Sequence, residues 1–200
     1  MTRLVMIRHA TTSWNEARRL QGHSDIALSA KGRAEVAGWR LPGEYRDGTW
    51  ITSPLLRAVQ TARALGALQI HCEPRLVEMD WGEWEGRTLQ ELRLNDPEQM
   101  SEVEARGLDF SAPGGESPRQ LQDRLAPWLS TIAAAGQPVN AVCHKGVVRA
   151  LFARAAGWDM LGRPPLKLDW SAAQIFRLDG DGTPHLEQSN VSLCRREAAP

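Results

Sequence analysis

Leu4-Val5-Met6-Ile7-Arg8-His9-Ala10-Thr11-Thr12-Ser13-Trp14-Asn15 is the stretch on which the fold reading turns. Four consecutive apolar residues, two of them β-branched, predict a strand buried on both faces, and such strands belong to parallel sheets covered by helices. The strand delivers an Arg-His pair into a polar segment, residues 11–22, that reads as loop with one helical turn at most.

The pattern of apolar strand and amphipathic helix continues outward from there. Residues 49–52 and 68–71 read as short strands, and residues 138–143 as another that ends at His144. Ser29 is the expected cap of a helix over residues 30–40 that closes at Pro42-Gly43. Ser53-Pro54 reads as a cap followed by proline at the first helical position, opening a helix that ends at Gly66. Thr88 is expected to cap a helix stopped by Asp96-Pro97, and Ser117-Pro118-Arg119-Gln120 is a capping-box pattern. Pro127 is expected to kink or split the helix it falls in. Residues 146–156 have helical periodicity and end at Gly157; residues 166–170 alternate like a strand. Asp179-Gly180-Asp181-Gly182 joins residues 173–178 and 184–191 in a hairpin. Residues 98–110 are polar with few anchors (Met100, Val103, Leu108), which fits a mobile excursion over a site, though residues 98–106 read more readily as a solvated helix or loop than as a lid, and the last residues read as frayed. Together these predict one α/β domain over residues 1–200. Its architecture would be a three-layer α/β/α sandwich with a mostly parallel central sheet and an antiparallel edge strand.

Composition sets limits on function. Hydrophobic residues make up 42% and charged residues 24% of the chain, ordinary for a globular protein, and the formal net charge is zero. Nothing global therefore favours nucleic acid or a membrane surface as partner. The start carries too short an apolar run for a signal peptide. Cys72, Cys143 and Cys194 lack metal-type spacing and read as free thiols, so the expected location is cytoplasmic.

His9 and His144 end two buried strands, with Arg8 beside the first; Arg57 lies just past a third strand end. In open α/β sheets sites gather at the carboxyl ends of strands. Two guanidinium forks and two imidazoles suit a tetrahedral dianion, and the Gly146 amide is a candidate for further anion binding.

Around these residues the chain resembles the histidine phosphatase superfamily, which includes the cofactor-dependent phosphoglycerate mutases. The likeness rests on Leu4 to Thr12 and on six further segments in the same order. These are Trp14-Asn15, Gln21-Gly22-His23-Ser24-Asp25 with Leu28-Ser29-Ala30-Lys31-Gly32, and Thr52-Ser53-Pro54-Leu55-Leu56-Arg57 running on to Gln60-Thr61-Ala62. Then come Leu76-Val77-Glu78-Met79-Asp80-Trp81-Gly82-Glu83-Trp84-Glu85-Gly86, Pro113-Gly114-Gly115-Glu116-Ser117 and Val142-Cys143-His144-Lys145-Gly146-Val147-Val148-Arg149.

The resemblance implies that His9 is a nucleophile that becomes phosphohistidine, with Arg8, Arg57 and His144 holding the phosphoryl oxygens. It implies phosphoryl contacts for Asn15, substrate contacts for Gln21 and Gly22, and an acid/base role for Glu78, for which Asp80, Glu83 or Glu85 are the substitutes; Trp81 and Trp84 beside it are candidates for part of an apolar wall. Such a site calls for no cofactor and no metal. Two departures stand out: Ala10 replaces the usual glycine, tolerable where φ is negative, and Lys145 follows the second histidine where many relatives have glycine, a charge that would either suit acidic substrates or point to solvent. His23, His71 and His185 read as ordinary surface or packed histidines, Arg149 as one half of a structural ion pair, and Trp39, Trp128 and Trp158 as core.

The expected activity is metal-independent hydrolysis of a small-molecule phosphate ester. A mutase that returns the phosphoryl group to another hydroxyl is the alternative, and a phospho-ligand-binding protein without turnover a second. Chain length, the Trp84-Glu85-Gly86 segment, which resembles the small phosphatase branch with its α-ribazole phosphatase-like members, and Lys145-Gly146 in place of the mutases' Gly-Asn favour hydrolysis. Whether the chain forms a homodimer is left open by the sequence.

Overall fold

The computed structural model describes residues 1–193. The frayed tail and Cys194 lie outside the described residues. The elements in order are β1 (Thr2–Arg8), α1 (Ser13–Glu16), α2 (Ala30–Ala37), β2 (Thr49–Thr52), α3 (Leu56–Ala64), β3 (His71–Cys72), α4 (Leu89–Asn95), α5 (Pro97–Glu104), α6 (Pro118–Ala135), β4 (Val139–Cys143), α7 (Lys145–Ala156), β5 (Ala172–Leu178) and β6 (Pro184–Ser192).

The six strands form one sheet in the order β3-β2-β4-β1-β5-β6. β1, β4, β2 and β3 are parallel neighbours; β5 runs antiparallel to β1, and β6 antiparallel to β5. The antiparallel edge is thus a hairpin. Alternation along β1 divides the core. Leu4 and Met6 face one side with Leu125, Leu129, Val148 and Leu151 of α6 and α7. Val5 and Ile7 face the other with Val36, Ala58 and Ala62 of α2 and α3. This is the expected α/β/α sandwich with a mostly parallel sheet. A smaller apolar cluster of Trp84, Leu92, Met100, Val103 and Ala112 lies under α4 and α5. Among the described residues no helix is long and apolar enough to cross a membrane.

Four local expectations are corrected. Only His71 and Cys72 join the sheet, because the chain before them turns outward and leaves Leu68 98% exposed. Ser53 does not cap α3: Leu55 is its N-cap, and the Leu56 amide donates instead to the Asp25 carboxylate at 2.7 Å. α6 runs unbroken through Pro127, since that proline faces solvent where the missing N–H leaves no buried orphan. Residues 166–170 form no strand, because the Asn190 side chain pins them by accepting from the Asp169 amide at 2.7 Å and donating to the Lys167 carbonyl at 3.1 Å. Residues 98–110 hold α5, a largely exposed helix anchored by buried Met100 and Val103, in keeping with the solvated helix or loop expected of residues 98–106.

The loop after β1 fixes how closely α2 can approach. A Cβ added at Gly32 would lie 1.8 Å from the Thr11 carbonyl oxygen, whereas one at Gly38 meets nothing nearer than 3.6 Å. Gly32→Ala is expected to destabilise the protein by about 1–3 kcal/mol through forced displacement of backbone. Gly38→Ala should stay within about 0.5 kcal/mol of the parent. Urea unfolding of both variants checks this; equal midpoints would contradict the close approach.

Candidate active site

The strand order builds the site. β4 lies between β1 and β2 and pairs with both, Arg8 opposite Cys143 and Thr52 opposite Val142. The His9 amide donates to the Cys143 carbonyl at 2.9 Å and the Ser53 amide to the Val142 carbonyl at 3.0 Å. The three strands therefore end level, and the rings of His9 and His144 lie 5.1 Å apart at 59°. α3 starts beside them and carries Arg57 on its first turn.

The loop carrying the Arg-His pair is tied on every side. The Ala10 amide donates to the Thr61 hydroxyl at 3.1 Å, which itself donates to the Arg57 carbonyl at 2.7 Å. The Thr11 hydroxyl donates to Glu35 of α2 at 2.8 Å. The Thr11 carbonyl accepts from the Ser29 amide at 3.0 Å. Thr12 and Asn15 form a capping box around α1, and the Thr12 hydroxyl donates to Gln21 Oε1 at 3.2 Å. Ala10 has no positive φ, so its methyl group costs the backbone nothing there.

Hydrogen bonding sets the protonation of the two imidazoles in opposite senses. His9 Nδ1 donates to the Ala10 carbonyl at 2.7 Å, which leaves Nε2 as a free lone pair. His144 Nδ1 accepts from Arg57 Nε at 3.2 Å, so its proton is on Nε2, and that buried atom has no partner. Burial holds both well below the ordinary value of 6.5, helped for His9 by Arg8 and Arg57 and for His144 by His9 and the arginines. Arg57 is fully buried and donates to the Ser24 carbonyl at 2.8 Å and the Gly22 carbonyl at 2.7 Å. Desolvation brings its pKa down to about 10, against the pull of Glu78, Asp25 and Glu85. Desolvation lowers Arg8 as well, and its Nε is buried without a partner. Glu78 is pushed up by burial, although each of its oxygens accepts a backbone N–H, from Met79 at 2.9 Å and Gly146 at 3.0 Å.

A cavity of about 910 Å³ opens over these groups, with Arg8, His9, Asn15, Gln21, Glu78 and Trp81 in its wall. His144 and Arg57 have no exposed surface and lie behind that wall, the His144 ring 5.1 Å from that of His9 and Arg57 bonded to it. Unpartnered buried donors on Arg8, Gln21 and His144 at one site mark a place built for an anion with several acceptor oxygens. Asn15 spends its Oδ1 on the Thr12 amide, so its amino group is the end left to donate.

Other expected positions serve differently. Gly22 is outside the cavity wall and acts through its carbonyl on Arg57. The Gly146 amide is taken by Glu78 and is no anion donor. Trp84 packs under α4 and α5 rather than against Glu78. Arg149 makes no ion pair among the described residues; its guanidinium stacks on Trp158 at 5.2 Å. Glu85 was missed as an organiser: it accepts from the amides of Gly22, His23 and Ser24, the Ser24 bond being 2.6 Å, and so aims two carbonyls at Arg57. Asp25, at the head of α3, was missed too. The single hint was their nearness to Gln21-Gly22 and Trp84, since nothing local in sequence links residue 85 to residue 22.

Residues 4–192 match the family model of the histidine phosphatase superfamily, branch 1. Phosphoglycerate mutase-like protein 4 of Arabidopsis thaliana is 34% identical over 188 residues, 89% of this chain and 80% of its own. Phosphoserine phosphatase 1 of Hydrogenobacter thermophilus is 30% identical over 169 residues, 80% of this chain and 79% of its own. The solved structure of mycobacterial glucosyl-3-phosphoglycerate phosphatase complexed with VO3 superposes with a TM-score of 0.78 at 27% identity, covering 96% of this chain and 100% of that one.

Two outcomes are expected from this geometry. Glu85→Gln loses the charge that gathers three amides and should cost about 1–3 kcal/mol in urea unfolding. Unchanged stability would sink its role. The folded imidazoles of His9 and His144 resist protonation, so below pH 6.5 the unfolded chain binds more protons. Their contribution is complete above that value and is lost as pH falls towards their depressed folded values. Glu78 has the opposite sign, contributing below the ordinary 4.5 and losing that contribution as pH rises through its raised value. The Tm should therefore drop between about pH 7 and 5, and His144→Gln should flatten that slope.

Proposed function

The chain belongs to branch 1 of the histidine phosphatase superfamily, and on that premise we propose that it hydrolyses a small-molecule phosphate monoester through a phosphohistidine on His9. The observation that carries this reading is the pairing of imidazole tautomers. His9 offers a bare Nε2 lone pair, and beside it His144 offers an Nε2–H donor.

In the first step His9 Nε2 attacks phosphorus and the P–O bond to the alcohol breaks. Glu78, which burial biases towards its protonated form, gives its proton to the leaving oxygen. The positive charge that develops on the imidazole is shared with the Ala10 carbonyl through Nδ1–H. In the second step water attacks the phosphoryl group, its proton passes to Glu78, the P–N bond breaks and inorganic phosphate leaves. Arg8, Arg57, His144 and the Asn15 amino group donate to the equatorial oxygens, whose charge changes least when the donors are already in place. The guanidinium charges do the work a metal would do elsewhere, so the reaction needs no metal ion and no cofactor. A mutase would use the same groups and differ only in handing the phosphoryl group to a second hydroxyl instead of water.

Phosphate release from an aryl ester, measured on the metal-chelated protein, tests the reading. His9→Ala is expected to lose more than about a thousandfold in kcat, and Glu78→Gln about a hundredfold or more. Wild-type activity should fall as pH rises through the raised pKa of Glu78. Incubation with 3-phosphoglycerate should yield phosphate; isomerisation without phosphate release would turn the assignment to the mutase, and activity equal to that of His9→Ala would turn it to a non-turning-over binder.

A further inference from the structure

A second cavity, of about 690 Å³, shares Lys145 and Arg149 with the wall of the His9 cavity. Phe152, Trp158 and Trp170 supply its apolar lining. Lys145 and Arg149 stand four residues apart on α7 and so share one face of the helix, where like charges repel. Lys145 Nζ lies 5.2 Å from the Trp170 ring centroid, and Arg149 Cζ 5.2 Å from that of Trp158. Both are solvent-accessible at the junction, yet neither makes a salt bridge to a carboxylate among the described residues. The one carboxylate in the lining, Asp169, is turned to the Ser171 amide and hydroxyl at 2.9 and 2.7 Å. Desolvation lowers the pKa of both cations, and Lys145 is lowered further by Arg8 and Arg149. Two like charges are thus held together, partly desolvated, over ring faces and with no carboxylate in salt-bridge contact among the described residues, although Glu78 pulls on Lys145 from a distance. An anion arriving between them would relieve both repulsion and desolvation.

We propose that Lys145 and Arg149 form a subsite for a second anionic group on the substrate, whose planar or apolar body reaches from the His9 cavity towards the chamber of Trp158 and Trp170. The inference rests on the phosphatase reading for its first anchor point. It concerns the alcohol part of the ester, which the phosphoryl-binding groups do not touch. A carboxylate or a second phosphate would serve equally at the two cations.

Phenyl phosphate and 4-carboxyphenyl phosphate separate the two claims, since they differ by one remote carboxylate. The wild type is expected to prefer the carboxylated ester by about tenfold in kcat/KM, mostly through KM, with the preference shrinking as salt is raised. Lys145→Gln combined with Arg149→Gln should abolish the preference. A wild type that turns over both esters alike, or a double variant that keeps the preference, would overturn the subsite while leaving the phosphatase intact. Calorimetric titration of both esters reads the same difference without turnover. A protein that releases no phosphate yet binds the carboxylated ester about tenfold more tightly would sink the phosphatase and keep the subsite; equal affinities would sink the subsite too. 4-Phosphonooxyphenyl phosphate in place of the carboxylated ester tells a second phosphate from a carboxylate.

Discussion

Everything around the site answers to one constraint: Arg57 keeps its charge with no exposed surface and, among the described residues, no carboxylate in salt-bridge contact. A buried cation is costly unless its donors are satisfied. A carboxylate partner would satisfy them but would cancel the positive charge that an anion needs. The chain instead offers neutral acceptors, two carbonyls and one imidazole nitrogen, and leaves the charge uncancelled. Glu85 serves this arrangement at one remove by accepting from the amides of residues 22–24, so the carboxylate orients the carbonyls without touching the guanidinium. Asp25 accepts from the Leu56 amide at the head of α3 and likewise leaves the guanidinium untouched. The bond from Arg57 to His144 Nδ1 in turn decides which nitrogen of that ring carries the proton.

Much of this was legible before any coordinates. The double-faced burial of β1 followed from four apolar residues in a row, and the level strand ends from the rule that α/β sites gather at carboxyl termini of strands. Caps at Ser29, Thr88 and Ser117 were read correctly because a side-chain cap is a local pattern, closed within four residues, and at Thr88 and Ser117 it is a full capping box. The failures share a cause. Ser53-Pro54 carried the local signature of a cap, but the amide at residue 56 found its acceptor 31 positions away in Asp25. Residues 166–170 alternate like a strand, yet a side chain on β6 claims their backbone groups before any ladder can. At the site, His9, His144, Arg57 and Glu78 were visible through their motifs. The use of the Gly146 amide by Glu78 was not, because that contact depends on how near two distant loops approach.

Lys145 illustrates how a departure from a family pattern acquires meaning only in three dimensions. In the sequence it was one extra positive charge beside a histidine. In the fold it is one of two cations that stand between a polar cavity and an aromatic one, each over an indole. In the proposed reaction the groups near phosphorus answer to a chemistry common to many esters, whereas this junction would meet the part of a substrate that distinguishes one ester from another.

The placing of β4 between β1 and β2 also has a consequence for synthesis on the ribosome. β1 and β2 share no hydrogen bonds in the finished sheet; each is joined to β4, which is made some ninety residues after β2 has emerged. A nascent chain that ends before residue 139 has β1 and its Arg-His loop but no strand beside them, and Arg57 lacks the His144 imidazole. Such non-local pairings form late and slowly. The centre strand of the sheet is therefore a late-inserted wedge, and the two histidines come into register at the step that closes the sheet.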